Sequence, residues 1–494
     1  MSFMMTLEQA NQWIPGSRLL GDGLIKVVRV HTDTRTIEPG DLFVALVGDR
    51  YDAGEFLVQA KGKGAVAVIC QSQQRLESVG LPGLVVDDSR FALGALASGW
   101  RAQFKLPLIA VTGSNGKTTV TQMIASVLRA YAPQTMLATQ GNFNNDIGVP
   151  LTLLRLNASH QIAVVEIGMN HPGEIELLAA MTQPTVGLVN NAQREHQEFM
   201  ATIEAVAREN GSVVASLATN GVAVFPHADE FSPLWRAIAE SRPQLTFEIR
   251  AAKATIGQHE SRHDADVSCP PPEWVAGAWH VRANTPAGCL DFVLHIAGMH
   301  NVKNSLAAAA CTLAAGVPLS AIAEGLTQFE PVKGRSRALY GVIDGCEFDL
   351  VDDTYNANPD SVHAAIEVLA SMPGPRLLVL GDMGEVGSSG PQYHAQAGAF
   401  AKEAGIDALF TVGELAEIAS QQFGGGVHHG DFEVLKRAVL LVLPSYRSVL
   451  VKGSRFMKME RVVDAVLDAS QKARATPTDN GGLNGQISVE AQCS

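Results

Sequence analysis

A phosphate-binding loop is the clearest chemical feature of the sequence. Residues 112–119 read Thr-Gly-Ser-Asn-Gly-Lys-Thr-Thr and separate an apolar run from a segment with helical periodicity. Gly113 and Gly116 allow backbone N–H groups to turn towards an anion, and the start of a helix adds partial positive charge. Lys117 can reach the β- and γ-phosphates of a nucleotide, and the hydroxyl of Thr118 can bind Mg²⁺. This combination predicts a loop that binds a nucleoside triphosphate.

The loop departs from the strict phosphate-loop pattern at one position, because Val111 stands where the first glycine belongs. The alternative interpretation is a glycine-rich turn between a strand and a helix. Such a turn needs neither the lysine nor the paired threonines that follow. We therefore predict that ATP, with Mg²⁺, is bound by Gly113, Ser114, Asn115, Gly116, Lys117, Thr118 and Thr119.

Two further side chains could hold a metal ion near this loop. Glu166 ends the apolar run 162–165, and His196 follows the apolar run 186–189. Ligands bind beyond the carboxyl ends of the strands in open α/β sheets, so both side chains would lie near the phosphates. A carboxylate there can bind Mg²⁺ directly or through water, and a histidine beside it can assist. The alternatives are an acid that caps the following turn and a histidine on the surface.

An asparagine-rich loop, residues 139–150, offers uncharged hydrogen-bonding groups. Asn142, Asn144 and Asn145 lie between two of its glycines. Amide side chains both donate and accept, which suits a carbonyl group or a sugar. Ordinary turn chemistry is the alternative. We include Asn142 and Asn145 among the candidate catalytic residues.

Three other polar clusters are candidates for binding. Thr34 and Arg35 place an arginine beside hydroxyl groups, which can clamp a diphosphate or form a simple loop ion pair. Residues 352–359, Asp-Asp-Thr-Tyr-Asn-Ala-Asn-Pro, follow an apolar strand and precede a helix, with Asp360 or Ser361 as its expected N-cap. They are too rich in Asn and Asp to serve only as a connection. Residues 452–455, Lys-Gly-Ser-Arg, follow another apolar strand.

Composition argues against several classes of protein. The formal net charge is −13, from 37 Lys and Arg against 50 Asp and Glu, so we expect no binding to nucleic acid. No apolar run reaches the roughly 18 residues of a transmembrane helix, and residues 1–14 do not resemble a signal peptide. The 6 cysteines are scattered without a C-x-x-C pair, which suits reduced thiols. We therefore expect a cytoplasmic protein without membrane insertion.

Alternating strand and helix patterns predict an α/β fold with mostly parallel sheets. The chain has 494 residues, enough for about three domains. We expect a small α/β domain over 1–105, a central domain with a mostly parallel sheet over 106–330, and a further α/β domain over 331–470. Within the central domain, residues 250–295 read as antiparallel strands. Residues 471–494 are polar and rich in Gly and Asn, which predicts a disordered tail.

Several motifs spread over residues 25–465 form a recognisable combination. They are Thr-Asp-Thr-Arg (32–35), Pro-Gly-Asp-Leu-Phe-Val-Ala-Leu (39–46), the phosphate loop (112–119), Gly-Asn-Phe-Asn-Asn-Asp-Ile-Gly-Val-Pro (141–150), Glu-Ile-Gly-Met-Asn (166–170), His-Asn-Val-Lys-Asn (300–304) and Asp-Thr-Tyr-Asn-Ala-Asn-Pro-Asp-Ser (353–361). Together they resemble the Mur ligases, ATP-dependent amide-forming enzymes of bacterial peptidoglycan precursor synthesis. The 141–150 and 353–361 motifs resemble those of members that join D-alanyl-D-alanine to a UDP-N-acetylmuramoyl-tripeptide.

The resemblance implies three domains with separate tasks. The first domain would bind the UDP-N-acetylmuramoyl-tripeptide, with Thr34 and Arg35 near its diphosphate. The central, P-loop ATPase-like domain would bind ATP. The last, Rossmann-like domain would close over the nucleotide and help to hold D-alanyl-D-alanine. The enzyme would act as a monomer, through an acyl phosphate and a tetrahedral intermediate.

The resemblance also implies roles for single residues in the ATP site. Lys117 would contact the γ-phosphate, Thr118 and Glu166 would bind one Mg²⁺, and His196 would bind a second. Asn301, just before a helix predicted over 305–315, would contact the adenine. Residues from the last domain would complete the site, with Arg335 and Asp353 at phosphate and ribose and Asn358 beside them.

The chain departs from the family pattern at Asn210. Family members carry a lysine, modified to a carbamate, after the metal-binding histidine, and matching residues 205–211 to that segment places Asn210 at the lysine. Asparagine cannot form a carbamate because its amide nitrogen is not nucleophilic. Asn210 supports one alternative, an ATP-binding switch or scaffold that has lost catalysis. A related Mur-type or folylpolyglutamate-type ligase with another acceptor is the other alternative that stays open.

Overall fold

The structure, a computed structural model, describes residues 3–48, 51–193, 202–250, 265–275, 278–331 and 333–475. Over these residues the chain folds into consecutive α/β segments, each built around its own sheet. Most neighbouring strands in these sheets run parallel, as the alternation of strands and helices predicts. In this part of the chain no helix is long and apolar enough to cross a membrane.

The N-terminal segment holds a sheet in the order β2-β7-β6-β5-β4, which is parallel except for β2. A separate short ladder pairs β1 with β3. The elements are β1 (Met5–Thr6), α1 (Leu7–Trp13), β2 (Arg18–Leu20), β3 (Lys26–Val27), β4 (Arg29–His31), β5 (Asp41–Val44), α2 (Leu57–Gly62), β6 (Ala67–Cys70), α3 (Gln73–Val79), β7 (Gly83–Val85) and α4 (Ser89–Arg101).

The central segment forms the largest sheet, in the order β15-β16-β14-β13-β12-β11-β8-β10-β9 with β17 also paired to β16. The strands from β9 to β14 are parallel, and β15 to β17 add antiparallel ladders as predicted. The elements are β8 (Leu108–Thr112), α5 (Lys117–Tyr131), β9 (Met136–Ala138), α6 (Gly148–Leu153), β10 (Ile162–Glu166), α7 (Glu174–Thr182), β11 (Val186–Val189), α8 (Ile203–Ala215), β12 (Val222–Pro226), α9 (Ser232–Ala239), β13 (Gln244–Ile249), β14 (Val267–Cys269), β15 (Glu273–Val275), β16 (Ala278–Thr285), β17 (Gly288–Leu294), α10 (Met299–Ala314) and α11 (Leu319–Thr327).

The C-terminal segment holds a sheet in the order β18-β19-β23-β20-β21-β22, antiparallel only between β18 and β19. The elements are β18 (Arg337–Ile343), β19 (Cys346–Asp353), α12 (Pro359–Ser371), β20 (Arg376–Gly381), α13 (Gly390–Glu403), β21 (Ala408–Val412), α14 (Ala416–Phe423), β22 (Val427–His429), α15 (Phe432–Val442), β23 (Ser448–Lys452) and α16 (Glu460–Ala475). Helix α16 thus extends into the segment predicted as a tail, and residues 476–494 lie outside the described part.

Strand β8 explains why the phosphate loop is held rigidly. All of its residues are buried, because side chains alternate between the two faces of the sheet and helices cover both. Leu108 and Ala110 pack in a core with α4 and α7, whereas Ile109 and Val111 pack in a core with α5 and α10. Helix α4 of the N-terminal segment therefore covers one face of the central sheet.

Candidate functional site

A cavity of about 400 Å³ lies between the central and C-terminal segments. From the central segment it is lined by 114–119, Asn142, Asn144, Glu166, Asn190, Asn191, Gln193, Asp229, His300, Asn301, Lys303 and Asn304. From the C-terminal segment it is lined by 334–336, Asp353, 355–361, Ala364, Ala365, 384–386 and Lys452. Strands β19, β20 and β23 are parallel and end at this cavity, which is where ligands bind in open α/β sheets.

The two glycines of the phosphate loop are required by its geometry. Gly113 has a φ of +133° and Gly116 a φ of +79°, backbone conformations that side chains disfavour. A Cβ at Gly116 would approach amide atoms of Asn190 and Asn304 to 2.8 Å. The loop is therefore pressed closely against its neighbours at Gly116.

Lys117 begins α5 and folds back over the loop. Its Nζ donates to the carbonyl oxygens of Gly113 at 2.5 Å and Ser114 at 3.1 Å. The ammonium group is thus held beside the N-terminus of the helix, where a bound anion meets both charges. Asn115 is held by a residue that follows the neighbouring strand β11, because its N–H donates to Asn191 Oδ1 at 2.9 Å.

Glu166 has the environment of a metal ligand. It is 2% exposed, and its Oε1 accepts from Thr118 Oγ1 at 3.0 Å and from Asn144 Nδ2 at 2.8 Å. Its buried Oε2 has no hydrogen-bond partner in the described part of the chain. A buried, half-satisfied carboxylate beside a hydroxyl fits Mg²⁺, which takes few protein oxygens and completes its shell with phosphate and water.

The second metal position is not defined by the described residues. His196 lies outside them. Among those that are described, no group of three His, Cys, Asp or Glu residues is close enough to hold a metal ion. Asn210, on α8, is 1% exposed; its Oδ1 accepts from Thr112 Oγ1 at 2.7 Å, and its Nδ2 has no partner among these residues. Asn210 thus connects α8 to the last residue of β8.

A chain of amide side chains connects α10 to the phosphate loop. Asn301 Nδ2 donates to Ala297 O at 2.7 Å, and its Oδ1 accepts from Asn304 Nδ2 at 3.0 Å. Asn304 Oδ1 in turn accepts from Asn190 Nδ2 at 3.0 Å, and the same Asn190 nitrogen donates to Asn115 O at 2.9 Å. Each amide is oriented by the next, so this wall offers fixed donors and acceptors to a ligand.

The opposite wall pairs charges with an aromatic ring. Lys452 Nζ lies 2.6 Å from Asp353 Oδ2. Burial alone would raise the pKa of Asp353, but the Lys452 ammonium, together with His300 and the Ser336 N–H, outweighs it and the pKa is lowered. The Arg335 guanidinium lies 4.0 Å from the centre of the Tyr355 ring, and its buried Nε has no hydrogen-bond partner in the described part. A ligand in the cavity could supply that partner.

Asn358 joins the two walls. Asn358, and not the expected Asp360 or Ser361, caps α12, because its Oδ1 accepts from Ser361 N at 2.8 Å. Its Nδ2 donates to Asn115 Oδ1, in the phosphate loop, at 3.0 Å.

Three other candidates lie elsewhere. Asn145 Oδ1 accepts from Gly148 N at 2.9 Å and so stabilises the start of α6, whereas Asn142 lines the cavity. Thr34 and Arg35 are on the N-terminal segment. Arg35 is paired with Asp33 at 2.7 Å, and its hydrogen bonds to that carboxylate lower the pKa of Asp33 to about 2. Its side chain is 83% exposed and could exchange this partner for another anion.

Several lining residues were predicted only as part of a polar motif, namely Asn144, Lys303, Asn304 and Tyr355, and two were not predicted as site residues, namely Asn190 and Glu385. Asn304 and Tyr355 lie inside motifs already recognised, so helical spacing and a strand end could have identified them. Glu385 follows the apolar strand β20, and that position was the available signal. Asn190 follows the apolar strand β11 and offered the same signal, and Lys303 lies inside the 300–304 motif.

Comparison with known proteins agrees with this architecture. The chain matches the Mur ligase middle domain over residues 111–312, the Mur ligase glutamate ligase domain over 339–455 and the Mur ligase catalytic domain over 26–101. It is 39% identical to the UDP-N-acetylmuramoyl-tripeptide–D-alanyl-D-alanine ligase of Escherichia coli, over 94% of this chain and 98% of the relative. The ligase of the same name from Haemophilus influenzae is 35% identical, over 92% and 96% respectively.

A solved structure is similar along the same length. The crystal structure of MurF from Acinetobacter baumannii superposes with a TM-score of 0.82 at 33% identity, over 94% of this chain and 98% of that one. With the domain matches and the relatives, this similarity shows that the chain belongs to the Mur ligase family.

Proposed function

We propose that this ligase joins D-alanyl-D-alanine to the terminal carboxylate of a UDP-N-acetylmuramoyl-tripeptide. As a member of its family, the chain is an ATP-dependent enzyme that forms C–N bonds in peptidoglycan precursor synthesis. The observation that carries the choice of substrates is the cavity, in which the phosphate loop faces the Asp353–Ser361 wall of the C-terminal segment. The relatives named for this reaction are similar over nearly their whole length.

The reaction requires a carboxylate to attack the γ-phosphorus of a highly anionic nucleotide. The P–O bond to the leaving ADP breaks as the carboxylate oxygen forms its bond, which yields an acyl phosphate. Lys117 and the N–H groups of the phosphate loop offset the charge of the transferring group. The acceptor amine then attacks the acyl carbon, and the tetrahedral intermediate expels phosphate. Closure of the two walls keeps water away from the acyl phosphate.

We assign the nucleotide to the cavity between Asn301 and Arg335. Asn301 is held by Asn304 and can present its amide to the adenine. Arg335 and Asp353 can reach phosphate and ribose from the other wall, with Asn358 closing the site at the phosphate loop. Asn142, which also lines the cavity, and Asn145, nearby in sequence, remain candidates for the acyl end.

We assign one Mg²⁺ to Thr118 and Glu166. The orphaned Oε2 of Glu166 supports this assignment. The ion, when bound, would offset phosphate charge during transfer. His196 remains our proposed ligand for a second ion.

The nucleotide-sugar end of the donor would lie on the N-terminal segment. Exposed Arg35 can give up its ion pair with Asp33 for the diphosphate, and Thr34 lies beside it. We infer domain boundaries at 105/106 and 330/331. We further propose that the enzyme is a monomer, has no nucleic-acid partner and is located in the cytoplasm. Buried free thiols at Cys70, Cys269 and Cys311 suit that compartment.

A coupled assay tests the proposal. Purified protein with UDP-N-acetylmuramoyl-tripeptide, D-alanyl-D-alanine and ATP should release phosphate only when all three substrates are present, with a new amide detected by mass spectrometry. Glutamate and other single amino acids serve as alternative acceptors. Turnover with glutamate but not with the dipeptide would contradict the proposed acceptor, and phosphate release without amide formation would contradict the proposed ligation.

A further inference from the structure

The amine acceptor presents an electrostatic problem in this cavity. An α-amino group has a pKa near 8, so at neutral pH the acceptor arrives mostly as an ammonium ion. Lys117, Lys303, Arg335 and Lys452 line the cavity and favour anions. The ammonium must be held among these cations, and it must lose a proton before its nitrogen can attack. Both requirements point to a carboxylate on the cavity wall.

The carboxylates that line the cavity lie on its two walls. Glu166 is buried against Thr118 and Asn144 at the phosphate loop. Asp229 lies on the central wall and accepts from a backbone N–H at the start of α9.

On the C-terminal wall, Asp353 is engaged by Lys452. Asp360 lies in the first turn of α12, where a carboxylate stabilises the helix whether or not a substrate is bound. Glu385 lies in the loop after β20, next to Val386, which lines the same cavity.

The loop that carries Glu385 is fixed by its neighbours. Met383 N donates to His394 Nε2 at 3.0 Å, and Gly384 N donates to Ser454 Oγ. Asp382 Oδ1 accepts from Ala416 N at 2.7 Å. Glu385 itself has a φ of +56°, a conformation that glycine adopts more readily than glutamate. A costly backbone conformation in a well-anchored loop is typical of residues retained for function.

The surroundings of Glu385 suit a small dipeptide. Val386 and the α12 residues Ala364 and Ala365 line the same cavity and offer apolar surface to methyl side chains. The loop follows β20, whose parallel neighbour β23 ends at Lys452. Glu385 is thus on the wall that faces the phosphate loop.

We propose that Glu385 binds the ammonium group of the acceptor and accepts the proton that the nitrogen must lose before it attacks the acyl phosphate. This rests on the proposed function. One proton passes from the ammonium to the Glu385 carboxylate, and the freed electron pair forms the C–N bond. The C–O bond to phosphate breaks with its electron pair on the phosphate, which takes the second proton from the nitrogen. Glu385 then returns its proton to solvent.

The test separates acyl-phosphate formation from amine attack. In Glu385→Gln, kcat/KM for D-alanyl-D-alanine should fall by about 100-fold or more, while KM for ATP and for the UDP-peptide stays within about twofold of wild type. The residual ligation rate should rise with pH as the free amine becomes more abundant. Glu385→Asp should recover part of the activity, and Glu403→Gln, an exposed change on α13, serves as the control.

Hydroxylamine provides the decisive comparison, because its nitrogen is largely unprotonated at neutral pH. Glu385→Gln should form hydroxamate from the UDP-peptide and ATP at the wild-type rate. Equal losses with both nucleophiles, or a changed Mg²⁺ dependence, would place Glu385 at the phosphate or metal and overturn the proposal. Failure of wild type to form either product would instead overturn the proposed function. Glu385→Gly should melt no lower than wild type, because glycine adopts the backbone conformation at this position readily. A loss of ligation in that folded variant would then follow from the missing carboxylate and not from misfolding.

Discussion

The side chain of Asn358 makes two hydrogen bonds that connect different segments: its oxygen caps α12, and its nitrogen donates to Asn115 in the phosphate loop. The donor–acceptor distance to Asn115 is 3.0 Å. Because one planar amide makes both contacts, the start of α12 and the phosphate loop are held in a fixed relation. Any ligand that orders the loop should therefore also stabilise this position of α12.

Asn358→Asp separates these contacts, since aspartate caps a helix as well as asparagine does but cannot donate to Asn115. We expect unfolding free energy close to wild type and a loss in kcat/KM for ATP of about tenfold, the value of one hydrogen bond. Asn358→Ala, which also removes the cap, should in addition lower the unfolding free energy by about 1 kcal/mol. Steady-state kinetics and urea unfolding measure the two effects, and an Asn358→Asp enzyme with wild-type ATP kinetics would contradict the coupling.

Lys117→Ala should nearly abolish ligation and leave UDP-peptide binding largely intact. The ammonium borders the phosphate loop, whereas Arg35 lies on a different segment. Loss of one preorganised charge at a transferring phosphoryl group costs about 3–4 kcal/mol, or a factor of roughly 10² to 10³ in kcat. Turnover numbers and calorimetric titration with the UDP-peptide test this prediction. A variant that keeps more than about a tenth of wild-type turnover would show that Lys117 does not act on the transferring phosphoryl group.

Arg35→Ala should raise the KM for the UDP-peptide and change the KM for ATP little. The guanidinium is exposed and forms an ion pair with Asp33, so a diphosphate can replace that partner. Asp33→Asn offers a matched comparison, because it frees Arg35 without removing it and should not weaken UDP-peptide binding. Parallel losses in affinity for ATP and for the UDP-peptide would show that the two sites are not separate.

The positions of the phosphate loop and of Glu166 beside it could be predicted because the patterns that indicate them are local. A glycine, a lysine and a hydroxyl within eight residues suffice for the loop, and Glu166 ends a strand that neighbours β8. The α/β alternation likewise predicted most parallel strands. The start of α10 was placed too late: Met299 begins the helix, so Asn301 lies in its first turn. First-turn N–H groups need no partner within the helix, so polar residues there resemble a loop.

The rest of the site depends on contacts distant in sequence. Asn190 meets Asn304, and Asn358 meets Asn115, only after two sheets have formed and come together. Glu385 belongs to a short polar loop like many others, and its position at the cavity follows from the order β23-β20 in the sheet. The periodicity of a single sequence predicts strands but not their order in a sheet.

Asn210 should make the enzyme independent of carbon dioxide. The family resemblance places a lysine carbamate at this position, and asparagine cannot form one. In the structure its amide accepts from Thr112 Oγ1, which gives it a role in packing. We expect full activity in CO₂-depleted buffer, and a smaller loss for Asn210→Ala than for His196→Ala. Asn210→Ala should also lower the unfolding free energy by about 1–3 kcal/mol, because the Thr112 hydroxyl stays buried without its acceptor. Stimulation by bicarbonate would contradict this account.

His394 should make the stability of the C-terminal segment depend on pH. The imidazole is fully buried, its Nε2 accepts from Met383 N, and its Nδ1 lies 2.7 Å from Gly390 O. Burial lowers the pKa of His394 below 6.5. As pH falls through 6.5, the unfolded chain binds a proton that the native state excludes. The free energy of unfolding is therefore unaffected by His394 above that pH and falls below it, by at most about 1.4 kcal/mol per pH unit.

His394→Gln keeps an acceptor near Met383 N–H but cannot titrate. Between pH 7.5 and 5.5, urea unfolding should show wild type losing more free energy of unfolding than the variant, so the gap between them narrows or reverses on acidification. His280→Gln, at an exposed position on β16, should follow wild type at every pH. Because His394 also anchors the loop of Glu385, wild type should lose acceptor affinity over the same range more steeply than His394→Gln does. Parallel stability curves for wild type and His394→Gln would show that the native state does not exclude the proton.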